Sequence, residues 1–234
     1  MIICINAVDE SQKGVKGVTM NTELITKTEN FLKQKFDDSA YFKDHPDEKA
    51  YRLEHSYRVA NIGNEIAEKE GFDVTEMVMA CLLHDVSYCE DFDDDGWKDH
   101  GRNAAKIARP FLLELGLSQD RVNDMCYGIA IHVDDEADFE GERTPFALSV
   151  GDADNIDRFD AYRIHEMLVH DKFLEMSFEE KTELVNTRIE KLGKAMQMEL
   201  GTKTAEEIWA ERIAYYIGFY EKLQKQFANS KAIN

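Results

Sequence analysis

The sequence predicts an all-α protein. A 3.6-residue apolar period begins at Thr22 and runs almost to the end of the chain. Only 3 of the 234 residues are proline and 13 are glycine, which favours long helices over a turn-rich sandwich. No segment alternates apolar and polar residues convincingly enough for a half-buried strand. Hydrophobic residues make up 43% of the chain and charged residues 32%, enough apolar side chain to fill a core without disulfide or metal staples.

Residues 1–20 differ from the rest, with Gly14, Gly17 and a polar run ahead of Met20. They read either as a loose arm or as sequence upstream of a start at Met20; residues 21–234 read as one helical domain. The first helix carries Leu24, Ile25, Phe31, Leu32 and Phe36. A second is expected from about Glu48 to Glu70, stopped by Gly71, with His55, Val59, Ile62 and Ile66 on one stripe. A third starts near Thr75, carries Met77, Ala80 and Cys81, and delivers His84 and Asp85 near its end. The span Val86 to Lys98 has no period and many aspartates, and reads as a loop. The fourth helix runs from near Asp99 to Gly116, with a kink expected at Pro110. Ser118 caps the fifth, which presents Val122, Met125, Ile129 and His132. An acidic loop follows, from Asp134 to Arg143. After it come a short apolar stretch, Phe146 to Val150, and Asp152. Helical patterns then cover about 154–170, 177–200 and 203–228.

Lys and Arg total 28 against 47 Asp and Glu, a net charge of −19. So acidic a surface repels nucleic-acid backbones and anionic membranes, and neither is an expected partner. Cys4, Cys81, Cys89 and Cys126 form no C-x-x-C pair, which fits a reducing compartment and a cytoplasmic location rather than a zinc ribbon or a disulfide scaffold. No apolar run approaches the roughly 20 residues needed to span a bilayer.

Six residues stand out by type and place: His55, His84, Asp85, His100, His132 and Asp152. Any one histidine on an apolar face is most simply a satisfied core residue. Together they ask for more, because Asp85 and Asp152 lie in or beside apolar runs (ACLLHDV and ALSVGDAD), and buried carboxylates require a counter-charge. A divalent cation would supply it. Imidazole and carboxylate donors suit Mn, Fe, Ni, Co, Zn or a Mg-type ion, and the lack of thiolates argues against structural zinc.

In their order, RLEHSYRVANIG, ACLLHDVSY, DHGRNAAKIA, YGIAIHV and LSVGDADNID resemble the HD-domain superfamily of metal-dependent phosphohydrolases, over Arg52 to Asp157. The resemblance implies a helical bundle with the site between facing helices, extended by C-terminal helices over 171–234. It implies His55, His84, Asp85 and Asp152 as ligands of one divalent metal ion (Mn, Mg, Fe, Co or Ni). His100 and His132 would then hold a second ion, with Asp85 between the two, or face the substrate phosphate. The implied activity is hydrolysis of a phosphate ester or anhydride by metal-activated water, with a nucleotide or another small phosphorylated metabolite as substrate. Asp85 could also steer the water. Arg58, at i+3 from His55, matches an arginine often found after the first ligand, and is the candidate for stabilising charge on phosphorus. Arg158 is a second candidate phosphate contact. Lys98, Arg102 and Lys106 flank His100 and read as solvated.

Some family features are missing. The guanosine-tetraphosphate hydrolase and deoxynucleotidase branches carry an acidic residue shortly after the HD pair; here only Glu90 is near, and out of clear register. The GYP motif of cyclic-di-GMP phosphodiesterases is absent. Acidic loops at 90–99 and 134–142 would repel an anionic substrate unless screened. The run DFDDDG (91–96) imitates the start of a calcium loop, but Arg102 stands where the bidentate glutamate is required. Two other function classes stay open: a di-iron oxygenase, and a metal- or nucleotide-binding regulatory module without turnover. The aromatic face of Trp209, Tyr215, Tyr216, Phe219 and Tyr220 could be core, pocket wall or homodimer interface.

Overall fold

A computed structural model describes residues 20–92 and 96–230. Residues 1–19 of the expected arm, Cys4 among them, and Asp93, Asp94 and Asp95 of the first acidic loop lie outside the described residues, and with the latter the calcium-loop likeness. Among the described residues the chain is all-α: ten α-helices, three short 3₁₀ turns and no strand.

Side-chain caps define most helix starts. Asn21 opens α1 (Thr22–Asp38) by accepting from the N–H groups of Glu23 and Leu24. Ser39 caps a short helix, α2 (Ala40–Asp44), that the apolar period did not reveal because it buries a single side chain, Phe42. Pro46 occupies the first turn of α3 (Pro46–Glu70), where its missing N–H has no helical partner to lose. Gly71 ends α3 in the left-handed region, with φ at 76° and its N–H bonded to the Ala67 carbonyl. Asp73 caps α4 (Val74–Leu83), Ser118 caps α6 (Gln119–Ile131), and α5 (His100–Glu114) lies between them. The kink expected at Pro110 does not interrupt α5, which continues to Glu114. Pro110 and Lys106 are both exposed, so water can satisfy the Lys106 carbonyl that the proline ring deprives of a donor.

The larger correction concerns the segment after the second acidic loop. The apolar stretch 146–150 is the first half of a helix, α7 (Pro145–Asp157), started by Thr144 as N-cap and Pro145 behind it. The expected helix over 154–170 is therefore two: α7 ends at Asp157, and α8 (Ala161–His170) begins after Asp160, whose side chain caps it. A Ser177–Glu180 capping box opens α9 (Phe178–Ala195), and Thr202 caps α10 (Lys203–Ala228).

Helix α4 is the axis of the bundle. All of its residues are buried, so its sequence is apolar all round rather than amphipathic. Its one buried acid, Glu76, is met by Arg121 of α6. Helices α3, α6 and α1 flank it, α7 closes against α3, α4 and α6, and the α9–α10 pair packs on through α10 to α7. Trp209, Tyr216 and Tyr220 of the C-terminal aromatic face are buried, while Tyr215 is 53% exposed. Phe159 meets Trp209 and Tyr216 edge-on, and the Trp209 indole donates to the Ala195 carbonyl at 2.9 Å. The consequence for function is positional: the C-termini of α4, α6 and α7, the N-terminus of α5 and the first half of α3 meet at one buried point.

Candidate metal centre

Two helices end in the same way at that point. His84 follows α4 and His132 follows α6, and each turns its Nδ1 back to the carbonyl three residues earlier: Cys81 at 2.7 Å and Ile129 at 2.7 Å. His100, the first residue of α5, does the same with Trp97. His55 of α3 gives its Nδ1 to Asp157 Oδ2 at 2.8 Å. All four acceptors are oxygens without a proton, so Nδ1 is the donor in every ring. In the neutral imidazole that leaves a lone pair on each Nε2.

These four Nε2 atoms converge in two pairs. His55 and His84 face each other at 3.2 Å, His100 and His132 at 3.1 Å. Asp85 stands between the pairs. Its Oδ2 is 3.6 Å from both His55 and His84; its Oδ1 is 3.4 Å from His100 and 3.6 Å from His132. Asp154 closes the first pair, with Oδ1 at 3.1 Å from His55 Nε2 and 3.7 Å from His84 Nε2. Ring nitrogens paired this closely beside two buried carboxylates call for positive charge among them, supplied by a proton on His55 or by a cation. Nitrogen and oxygen donors without thiolate, fixed in orientation by Nδ1 bonds, fit a divalent cation. The C-terminal ends of α4 and α6, with their carbonyl dipoles, favour a cation at the same place.

The electrostatics agree. Burial works against ionising Asp85, yet His84, His100, His132 and Arg52 hold its carboxyl well below the usual carboxylate range. Asp154 is likewise held low, against burial, by His55, His84 and Arg158. Burial alone would depress His55, but Asp154, Asp157 and Asp85 outweigh it and raise the imidazole to about 9. In His84, which is fully enclosed, burial wins and the value falls to about 4.

One expected ligand lies elsewhere. Asp152 turns away from the cluster and accepts the Gly201 N–H at 2.8 Å; Asp154 supplies the carboxylate instead. The reason is helical geometry: two residues along α7 are about 200° apart, so only one of the pair can face α3 and α4. Asp152, largely buried against a single amide N–H and near Glu206, is pushed up to about 6.

The arginines are also rearranged. Arg58 donates through Nε to Asp157 Oδ1 at 2.9 Å and so meets the cluster by way of Asp157, on the Nδ1 side of His55. There it lines a cavity of about 360 Å³ with Tyr162, Arg163 and Arg212. Arg158 donates to Asp154 Oδ2 at 3.0 Å and is 57% exposed. Arg52, which sequence reasoning passed over, donates to Asp85 Oδ2 at 3.0 Å, and its guanidinium stacks on the Tyr88 ring at 3.4 Å. Its place one turn before His55 on the same face was the available signal. Glu90 is exposed. Of the basic residues expected to be solvated, Arg102 pairs with Asp99 and Asp134, and Lys106 with Asp138 at 2.6 Å. Both acidic loops are thereby partly neutralised beside the site.

The sequence matches the HD domain over residues 52–162. Two crystal structures share the fold. One is a predicted HD superfamily hydrolase from an uncultured Thermotogales bacterium, with 20% identity, 89% of this chain and 99% of that chain covered, and a TM-score of 0.61. The other is Bacillus subtilis YpgQ in complex with ADP, with 16% identity, 88% and 95% covered, and a TM-score of 0.54. No curated protein matches the sequence significantly. Among the described residues no helix is long and apolar enough to cross a membrane. The matched span contains every one of the converging histidines and aspartates, so the cluster lies within the HD domain that residues 52–162 form.

Proposed function

We propose that this protein is a phosphohydrolase that cleaves an ester or anhydride bond of a small phosphorylated metabolite, with nucleotides as the substrate class. The observation that carries it is Asp85, whose two oxygens face two separate histidine pairs. That division suits a site for two divalent ions. His55, His84, Asp85 and Asp154 would hold one, and His100, His132 and Asp85 the other. Bound there, the ions would supply Lewis acidity toward phosphoryl oxygens and would lower the pKa of water to near neutral.

The chain's own groups do the rest. Arg52 lies against the shared carboxylate, with Tyr88 fixing the plane of its guanidinium. It has donors to give to a phosphoryl oxygen at that edge, where charge develops in the transition state. Arg158, exposed beyond Asp154, reaches substrate from the other side. Arg58 acts through Asp157 as a positioning residue. The ADP bound to YpgQ supports a nucleotide as the first class to test.

The test is elemental analysis of the purified protein followed by a screen of nucleotides and p-nitrophenyl phosphate with Mn, Mg, Co, Ni and Fe. The expected result is up to two ions per chain and release of phosphate or pyrophosphate that a chelator abolishes. Metal-loaded protein that releases neither would overturn the reading. Two histidine pairs about one carboxylate also suit a di-iron centre of oxygenase type; stoichiometric iron with oxygen consumption would favour that alternative.

A further inference from the structure

A cavity of about 260 Å³ is lined by His132. His132 belongs to the cluster as well. Its Nε2 faces Asp85, while its backbone packs so closely on Gly151 that a Cβ there would lie 3.2 Å from His132 Cα. The cavity is lined by Asp152, Asn155, Leu148 and Leu200, among others. Asp152 is 7% exposed, and one of its oxygens holds the Gly201 N–H. Its other oxygen has no partner among the described residues, and neither does the side-chain amide of Asn155. Gly201 is required at the wall, because a Cβ would come 2.5 Å from Leu148 Cβ.

A carboxylate offers about four lone-pair sites, and with a single neutral donor from the chain Asp152 keeps sites for a group in the cavity it lines. Asp152 and Asn155 sit at i and i+3 on α7, so an acceptor and a donor–acceptor lie side by side between leucine walls. The remaining charges are Asp135, Glu199 and Arg143, and Asp135 engages Arg143 at 2.8 Å. Such a lining disfavours phosphate and favours a planar group rich in N–H donors. The volume, below the roughly 300 Å³ of sites that enclose a whole ligand, suits one ring system.

We propose that this cavity is the specificity pocket for the organic half of the substrate, a purine whose edge carries adjacent N–H donors, as guanine does, read by Asp152 and Asn155. The proposal rests on the phosphohydrolase reading for its phosphate half. Asp152→Asn separates the two, because asparagine keeps an acceptor for the Gly201 N–H while presenting a donor to the pocket. With Mn-loaded protein, wild type should prefer a guanosine nucleotide to the matching inosine nucleotide, which lacks the exocyclic amine, by roughly 10–100-fold in kcat/KM. In Asp152→Asn, and in Asn155→Leu, that ratio should fall toward one, and activity on guanosine nucleotides should fall relative to p-nitrophenyl phosphate. Guanosine itself, without phosphate, should bind metal-free wild type and bind Asp152→Asn at least tenfold more weakly by NMR titration. Unchanged ratios in both variants, or no guanosine binding by a protein that cleaves p-nitrophenyl phosphate, overturn the pocket and leave the hydrolase standing. Asp152-dependent guanosine binding by a metal-loaded protein that cleaves nothing supports the pocket and overturns the hydrolase.

Discussion

Asp157 holds His55 with one oxygen and Arg58 with the other: Oδ2 is 2.8 Å from His55 Nδ1 and Oδ1 is 2.9 Å from Arg58 Nε. Arg58 thereby fixes the carboxylate that fixes the imidazole. Loosening either contact should lower metal affinity at the His55 side by roughly 10–100-fold. Asp157→Asn and Arg58→Ala should therefore lose activity at limiting metal and recover most of it when metal is raised, with Arg58→Lys intermediate. A metal titration of activity reads this directly. An Arg58→Ala enzyme with unchanged metal affinity and a rate loss that metal cannot restore would return Arg58 to direct contact with the substrate.

Asp152 and Asp154 are chemically alike and two residues apart, yet opposite results are expected from changing them. Asp154→Asn should lose bound metal and activity together. Asp152→Asn should keep its metal and become more stable at neutral pH. Folding raises Asp152 from an ordinary 3.8 to about 6, so its charged form is disfavoured in the folded state. The sign follows: its contribution is most favourable below pH 3.8, and stability is lost as pH rises through about 6. The difference corresponds to about 3 kcal/mol. Thermal melts of wild type and Asp152→Asn should converge near pH 4 and separate above pH 6, with the variant higher. Equal melting temperatures at pH 7.5 would contradict the burial of that charge.

The same pair shows where the sequence stops being legible. His84, Asp85 and His132 adjoin apolar runs and His55 shares an apolar stripe, so these buried polar groups are legible from pattern, whereas His100, between Asp99 and Gly101, is legible only through the family resemblance. The GDAD run offers two carboxylates, and choosing between them requires the start of α7. Read from Pro145, the helix places Val150, Asp154 and Asp157 on one face, at steps of four and three. Read as beginning near Asp154, it gives no face for Asp152 at all. Thr144 and Pro145 mark the earlier start, but the apolar stretch behind them, Phe146 to Val150, is too short to show a helical period. Tertiary relationships were beyond reach for a different reason. The stacking of Arg52 on Tyr88 and the bond from Asp152 to Gly201 join residues far apart in sequence, and no periodicity encodes them.

Gly101 permits the second histidine pair. A Cβ at this position would lie 2.7 Å from the Ala130 carbonyl oxygen, 3.0 Å from that of Ile129 and 3.1 Å from His132 Nδ1. Two of those three atoms are backbone, so α5 and α6 must separate to admit it. Gly101→Ala should therefore pull His100 away from His132 while leaving His55, His84 and Asp154 in place. Metal stoichiometry should fall by one ion per chain under conditions that saturate wild type, with a melting temperature lowered as expected for a backbone displacement of 1–3 kcal/mol, roughly the cost of an overpacked site. Retention of full stoichiometry in a folded Gly101→Ala protein would argue against a cation between His100 and His132.

Metal binding should release a proton, and His55 is its source. In the metal-free protein its imidazole is held at about 9 by Asp154, Asp157 and Asp85 against the opposing effect of burial. Coordination through Nε2 requires the neutral ring, so below pH 9 the ion must displace the proton that the carboxylates have gathered. Apparent affinity at the His55 side should accordingly rise with pH, by up to tenfold per pH unit between about pH 6 and 9, and level off above. Calorimetric titrations in buffers of different ionisation enthalpy count the protons directly and should give close to one per chain at pH 7.5, released as the His55 side fills. The Asp157→Asn variant should release less, because the carboxylate that helps raise His55 is gone. A pH-independent affinity with no proton release would mean that His55 is already neutral, and that the cluster holds its charges in another arrangement.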